Sequence, residues 1–308
     1  MNQPASTPNN RADRTARMLN ALLCKGPDIN NLKYEDRADP AANHAIKSKE
    51  ALATAFSHAI LGQAVGAESL PAGSRQEVSR ARRIAEQLDM LAEHSPVTAL
   101  DTAGKIAEHH TRKGSGLDRQ VGMRLSAYVD RVMPAAAGTC AGIAAAGTCA
   151  GILEKVALGA PVGSHVQEIA CKRYPDTIRG VADMNPGFAA RRCMNTVGEC
   201  VQAIGDRPAN VSAFLPVLTN SFLAVLPAYL RAFPGDVPAD LAEMQTRVSS
   251  IYQSGRLGTS LERKGSRETF SRLMSATIAP ANENATPSIA DSRPLRQVAP
   301  PTSQLFHA

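Results

Sequence analysis

The chain has 308 residues, a net charge of +6 and a pI near 9.1, with no Trp, 5 Tyr and 7 Phe. That length allows one large domain or two modest ones, and a core built from Leu, Ile, Val, Met and Ala suits close-packed helices better than a sheet sandwich. The basic excess is mild and interleaved with acids, and zinc-finger, helix-turn-helix and RNA-binding aromatic patterns are missing, which argues against specific nucleic-acid binding.

In chain order, residues 1–40 read as a flexible leader. It carries no acid before Asp13 and no continuous apolar stretch of the secretory type. Residues 13–24 could make one short helix with Met18, Leu19, Leu22 and Leu23 on one side. A helical domain is expected over 41–278, with two subdomains joined near 133–163. Its first stripe, Ile46, Leu52, Ala53, Phe56, Ala59 and Ile60, is expected to stop near Gly62–Gly66. Ser74-Arg-Gln-Glu77 is a capping box that opens a helix with Val78, Ala81, Ile84, Ala85, Leu88 and Leu91 inward. His94-Ser-Pro96 breaks the pattern, Val97–Thr111 resumes it, and Lys113-Gly-Ser-Gly116 reads as a hinge-like turn. Leu117, Val121, Leu125, Tyr128, Val129 and Val132 align on the next helix.

Val132–Leu153 contains no charge, and within it Ala135–Ile143 and Ala144–Ile152 are the same nonapeptide, AAAGTCAGI, written twice. Its length and its Gly138-xxx-Gly142 and Gly147-xxx-Gly151 spacings fit a membrane span. Its many small residues fit better a helix buried against other helices. Ser164 is expected to cap a helix to about Arg173, and Asn185-Pro186 one that reaches Ile204 and buries Ala189, Cys193, Val197, Cys200, Val201 and Ile204. A second charge-free run, Pro208–Leu230, is interrupted by Pro216 and Pro227. Pro238 opens a helix with Leu241, Met244, Val248, Ile251 and Tyr252, and Ser266–Ile278 carries Phe270, Leu273, Met274 and Ile278. Residues 279–308 read as a disordered tail. No segment alternates like a strand, so the fold class is all-α.

Sequence motifs assign no catalytic residue, cofactor or metal. The six cysteines, at 24, 140, 149, 171, 193 and 200, form no CxxC and read as reduced apolar residues. Asp101-Thr-Ala-Gly104 resembles a γ-phosphate-sensing DxxG element, but no phosphate loop precedes it. Glu93-His94 and Glu108-His109-His110 pair acids with imidazoles, yet adjacent histidines point to different helix faces and do not chelate together. Cys171, beside Lys172 and Arg173, is the thiol best placed for activation if His165 or His58 met it in space. Asn210-Val-Ser212 matches a glycosylation acceptor, and Arg75, Arg80, Arg82 and Arg83 form a solvated basic cluster.

The amide- and hydroxyl-rich, acid-poor start MNQPASTPNN resembles the export signals of bacterial type III secreted effectors. Arg293-Pro-Leu-Arg296 is similar to the basic C-terminal signals of type IV substrates. The resemblance implies a protein secreted from a bacterium, assisted by a secretion chaperone, that acts in a host cell. Three functional classes stay open. The favoured one is a translocated effector that binds host proteins through its helical domain. The others are a membrane-contacting secretion translocator using 132–153 and 208–230, and an enzyme whose site assembles from residues far apart in sequence.

Overall fold

A computed structural model describes residues 40–135, 140–257 and 264–277. The expected leader helix at 13–24 and the tail at 279–308 lie outside the described residues. The described residues hold ten helices and no strand, as the all-α reading requires. They are α1 (Pro40–Glu68), α2 (Arg75–His94), α3 (Pro96–His109), α4 (Gly116–Ala135), α5 (Cys140–Gly159), α6 (His165–Met184), α7 (Pro186–Ala203), α8 (Pro208–Ala232), α9 (Val237–Gln253) and α10 (Lys264–Ser275).

Each helix packs on its chain neighbours and on the helix two places along. Even-numbered helices therefore form one layer (α2, α4, α6, α8, α10) and odd-numbered helices a second, the arrangement of stacked helix pairs in an α-solenoid. Large side chains fill the space between layers: Ile84, Leu88 and Leu91 of α2, Leu125 and Tyr128 of α4, Tyr174 and Ile178 of α6, and Phe214, Leu218 and Phe222 of α8 are fully buried.

The unit recurs in the sequence. Gly73-Ser74, Gly114-Ser115 and Gly163-Ser164 each precede a first-layer helix. Each glycine adopts a positive φ (75°, 72° and 67°), which a side chain would disfavour. Each serine hydroxyl accepts from the backbone N–H three residues on, at Glu77 (3.1 Å), Asp118 (2.9 Å) and Gln167 (3.4 Å). Lys113–Gly116 is thus a helix start of the same kind as Ser74, in addition to the turn that was expected. Gly73 and Gly114 lie 41 residues apart and Gly114 and Gly163 lie 49 apart. The longer interval is the one that contains the duplicated nonapeptide.

Several expected boundaries shift. The stripe of α1 runs past Gly62 and Gly66 to Glu68, because Ala64 and Ala67 continue it into the core. Gly66 admits the Arg80 guanidinium, which a Cβ there would meet at 2.9 Å. Val132–Leu153 is divided between two helices: α4 ends at Ala135 and α5 begins at Cys140, so the first nonapeptide copy is shared between the end of α4 and the start of α5, and the second lies within α5. The helix from Ser164 continues through Pro175 to Met184, and α8 is unbroken through Pro216 and Pro227. A proline inside a helix costs about 3 kcal/mol; here burial of Tyr174, Ile178, Phe214 and Phe222 offsets it. Val78 and Val201, expected inward, are about half exposed (50% and 41%), and Met274 is also exposed.

The glycines of α5 serve close packing. A Cβ at Gly147 would touch the Phe188 ring at 3.0 Å, and one at Gly151 would lie 2.5 Å from the Arg192 guanidinium. The second layer depends on the same device at Gly104 of α3, where a Cβ would meet Ile152 at 2.5 Å. Gly142–Gly159 and Pro208–Ala232 are long and apolar enough to cross a membrane by length and composition, and both are packed within the two layers.

Candidate functional site

Buried polar groups fix the first layer. Glu77, fully buried at the start of α2, accepts from Gly73 N (3.3 Å) and reaches the next hairpin to accept from Gly116 N (3.2 Å) and Leu117 N (2.9 Å). Asp118 repeats this one hairpin on, accepting from His165 N (2.8 Å) and Val166 N (3.1 Å). Each carboxylate therefore supplies acceptors to the orphan N–H groups at the start of the following helix, where the helix dipole also favours negative charge.

At the next step the chemistry changes. Gln167 accepts from Gly163 N (2.7 Å) and donates to the Ala157 carbonyl (3.0 Å). Asn210 donates to Ala157 O (3.2 Å) and Ala160 O (2.7 Å). The buried Asn210 amide is thus committed to the interior and is not presented as a glycosylation acceptor.

With their starts fixed, successive first-layer helices leave grooves along one face. Between α2 and α4 the space is filled: Tyr128 Oη donates to Asp89 (2.7 Å) and Arg124 donates to the same carboxylate (3.1 Å). Between α4 and α6 lies an open groove of about 740 Å³ that includes Lys113, Arg119, Met123, His165, Glu168 and Ile169. Arg173 closes its far end by donating to Asp130 (3.0 and 2.9 Å) and Ser126 (2.7 Å) across the groove. Beyond that bridge a second hollow of about 370 Å³ includes Met133, Asp176 and Asp183. Similar hollows run between α6 and α8, at Pro175, Ala224 and Ala228, and between α8 and α10, at Pro216, Val217 and Arg272.

The side chains singled out from sequence are dispersed. Asp101 pairs with Lys105 (2.7 Å) within α3, and Gly104 is a buried helix-crossing residue, so this DxxG pattern forms no phosphate loop. His109 lies 3.3 Å from Glu108, while His110 turns to Glu68 (3.9 Å). Burial raises the Glu68 carboxyl to about 7 despite Arg112, and it lowers the affinity of His110 for its proton, as does the neighbouring His109.

Burial pushes the Cys171 thiol up to about 11, assisted by Glu168, and Arg173 is spent on Asp130 and Ser126. The cationic activation expected from Lys172 and Arg173 does not lower it. Cys149, Cys193 and Cys200 are buried thiols raised to about 12. These four are free cysteines, as a reduced reading requires.

Sequence reasoning did not find the most polar interior cluster. Glu154 of α5, 1% exposed, accepts from Tyr174 Oη (3.0 Å) and from two nitrogens of Arg192, one of them at 3.0 Å. Tyr174 Oη also lies 3.8 Å from Cys193 Sγ. Burial raises both Tyr174 and Cys193, so the phenol and thiol keep their protons and the ion pair is internally satisfied. This cluster ties α5, α6 and α7 together. The clue in sequence was Gly151, which leaves room for Arg192. No group of three or more potential metal ligands occurs among the described residues.

No family model and no curated protein matches this chain. A solved structure titled "Computational Design of Self-Assembling Cyclic Protein Homooligomers" is 13% identical over 86% of this chain and 94% of that one, with a TM-score of 0.20, too low to carry an argument.

Proposed function

We propose that this protein works by binding another protein on the grooved face of its first helix layer, and that it does so as a translocated bacterial effector. The binding reading is carried by one observation: four hollows lie between successive first-layer helices, from α4 to α10, on a layer whose helix starts are locked by buried side chains. Locked helices with open grooves present a pre-organised surface, which reduces the ordering cost of association. Stacked helical repeats commonly bind along such extended faces. Apolar side chains reach solvent there, Met123 (43% exposed) among them. The effector reading rests on the leader composition, and the host-cell location follows from it.

Delivery is tested by fusing residues 1–60, and separately 279–308, to a reporter that reads out only inside a recipient cell. Delivery of the first fusion that requires an intact type III apparatus is expected. Delivery of the second alone moves the protein to the type IV pathway, and delivery of neither removes the effector reading. Binding is tested by surface substitution. Met123→Arg is expected to abolish recovery of the partner, while Val201→Arg in the second layer leaves it intact; the reverse pattern overturns the choice of face.

A further inference from the structure

We infer that the occupant of the α4–α6 groove is an extended peptide segment that places an acidic side chain at Lys113 and Arg119 and adjacent apolar side chains on Met123 and Ile169. This rests on the reading of the first layer as the binding face.

Charge complementarity carries the argument. Lys113 and Arg119 are exposed at the end of the groove where α4 and α6 begin, and neither enters an ion pair with a described residue. Lys113 Nζ leans over the α6 entry loop, 3.4 Å from where a Cβ on Gly163 would stand. The His165 ring lines the same end. Two carboxylates are near. Asp118 is 1% exposed and spends both oxygens on His165 N and Val166 N, so its charge is committed to the helix start. Glu168 is exposed and lines the same groove as Lys113, Arg119 and His165.

The opposite end differs in sign. The Arg173 guanidinium there is consumed by Asp130 and Ser126, Asp176 pairs with Arg179 (3.0 Å), and Asp183 enters no ion pair with a described residue. An acidic group is therefore received at the end where the helices start and repelled at the end where they finish. This polarity sets the direction of a bound chain.

The hollow is open along its length, so it suits a chain laid across it rather than an enclosed small molecule. Between the cations and the Arg173 bridge the floor offers Met123 and Ile169, which gain from apolar contact. That apolar floor, with Glu168 on the rim, favours a peptide over a polyphosphate backbone.

The test is selection of phage-displayed random peptides on the full chain, followed by titration of a synthetic peptide of the selected consensus. The consensus is expected to join Asp or Glu to a neighbouring Leu, Ile, Met or aromatic residue. Its affinity is expected to fall about tenfold or more in the Lys113→Glu/Arg119→Glu variant and to weaken with added salt. Should that variant lose helicity, the milder Lys113→Ala/Arg119→Ala pair carries the same measurement. No enrichment, a consensus without acids, or indifference to both pairs overturns the inference. If the consensus peptide instead responds to Val217→Arg in α8, the first-layer reading stands and the assignment of this groove fails. If peptide binding is insensitive to both Met123→Arg and Val217→Arg, both readings fail.

Discussion

The joints leading into α4 and α6 are held by carboxyl side chains, whereas the joint leading into α8 is held by amides. Glu77 and Asp118 each supply oxygens to two N–H groups of the next first-layer helix. The third position of this kind is Gln167, and the helix that follows opens at Pro208, which has no N–H to offer. A carboxylate there would find fewer donors and remain buried and under-satisfied. Gln167 and Asn210 instead turn their NH₂ groups to the buried carbonyls of Ala157 and Ala160 at the end of α5. The first residue of the next helix thus decides which buried polar group the joint tolerates.

The most severe way to break this pattern is Asp118→Ala or Glu77→Ala. Each orphans one buried and at least one part-buried N–H group, and a loss of about 3 kcal/mol in urea-unfolding free energy is expected. Gln167→Ala removes a weaker, neutral pair of bonds and is expected to cost about 1–2 kcal/mol. A sharper version is Gln167→Glu, which adds the charge this joint cannot use. It should be more destabilising alone than in combination with Pro208→Ala, which restores an N–H to the start of α8. Equal effects in the two backgrounds would show that Pro208 does not set the choice.

Smaller effects belong to the joint where α1 ends. Arg112 there donates to the Leu70 carbonyl, and Glu68 Oε1 is buried without a hydrogen-bond partner. The Glu68 pKa is raised in the fold to about 7 from an unfolded value near 4.5, so its protonated form is favoured. Its contribution is present in full below about pH 4.5 and is lost as pH rises through about 7. His110, with a lowered pKa, acts in the opposite sense, losing stability as pH falls below its unfolded value of 6.5. Glu68→Gln should therefore raise the melting temperature at pH 8 more than at pH 5. An equal change at both would contradict the assignment.

The least perturbing probe is thiol labelling: with pKa values near 11–12, Cys149, Cys171, Cys193 and Cys200 should alkylate slowly at pH 7.5 until urea unfolds the chain.

Helix content and much of the core were legible because apolar residues recur at helical spacing: Ile84, Leu88 and Leu91, or Cys193, Val197 and Cys200, fall where their stripes place them. Ser74 was readable as a helix start because Glu77 completes a capping box. Ser164 was likewise readable as a cap, whereas Ser115 was hidden in what read as a turn, and the spacing changes from 41 to 49 residues across the interval that holds the nonapeptide. The repeat was therefore missed. Continuity through Pro175, Pro216 and Pro227 was not legible either, because tertiary burial overrides local propensity there. The groove could not be read at all: Lys113 and Arg119 meet His165 and Glu168 only after α5 has returned the chain across the stack.

Everything proposed for this protein depends on the first-layer grooves receiving the partner. The most direct test is photo-crosslinking with p-benzoylphenylalanine placed in turn at Met123 and Val217 on the first layer and at Lys155 and Val201 on the second, in full-length protein delivered to recipient cells. One partner band is expected from Met123 or Val217 and none from Lys155 or Val201. Crosslinks confined to the second layer, or absent from all four positions while an affinity-tagged chain still recovers a partner, would contradict it.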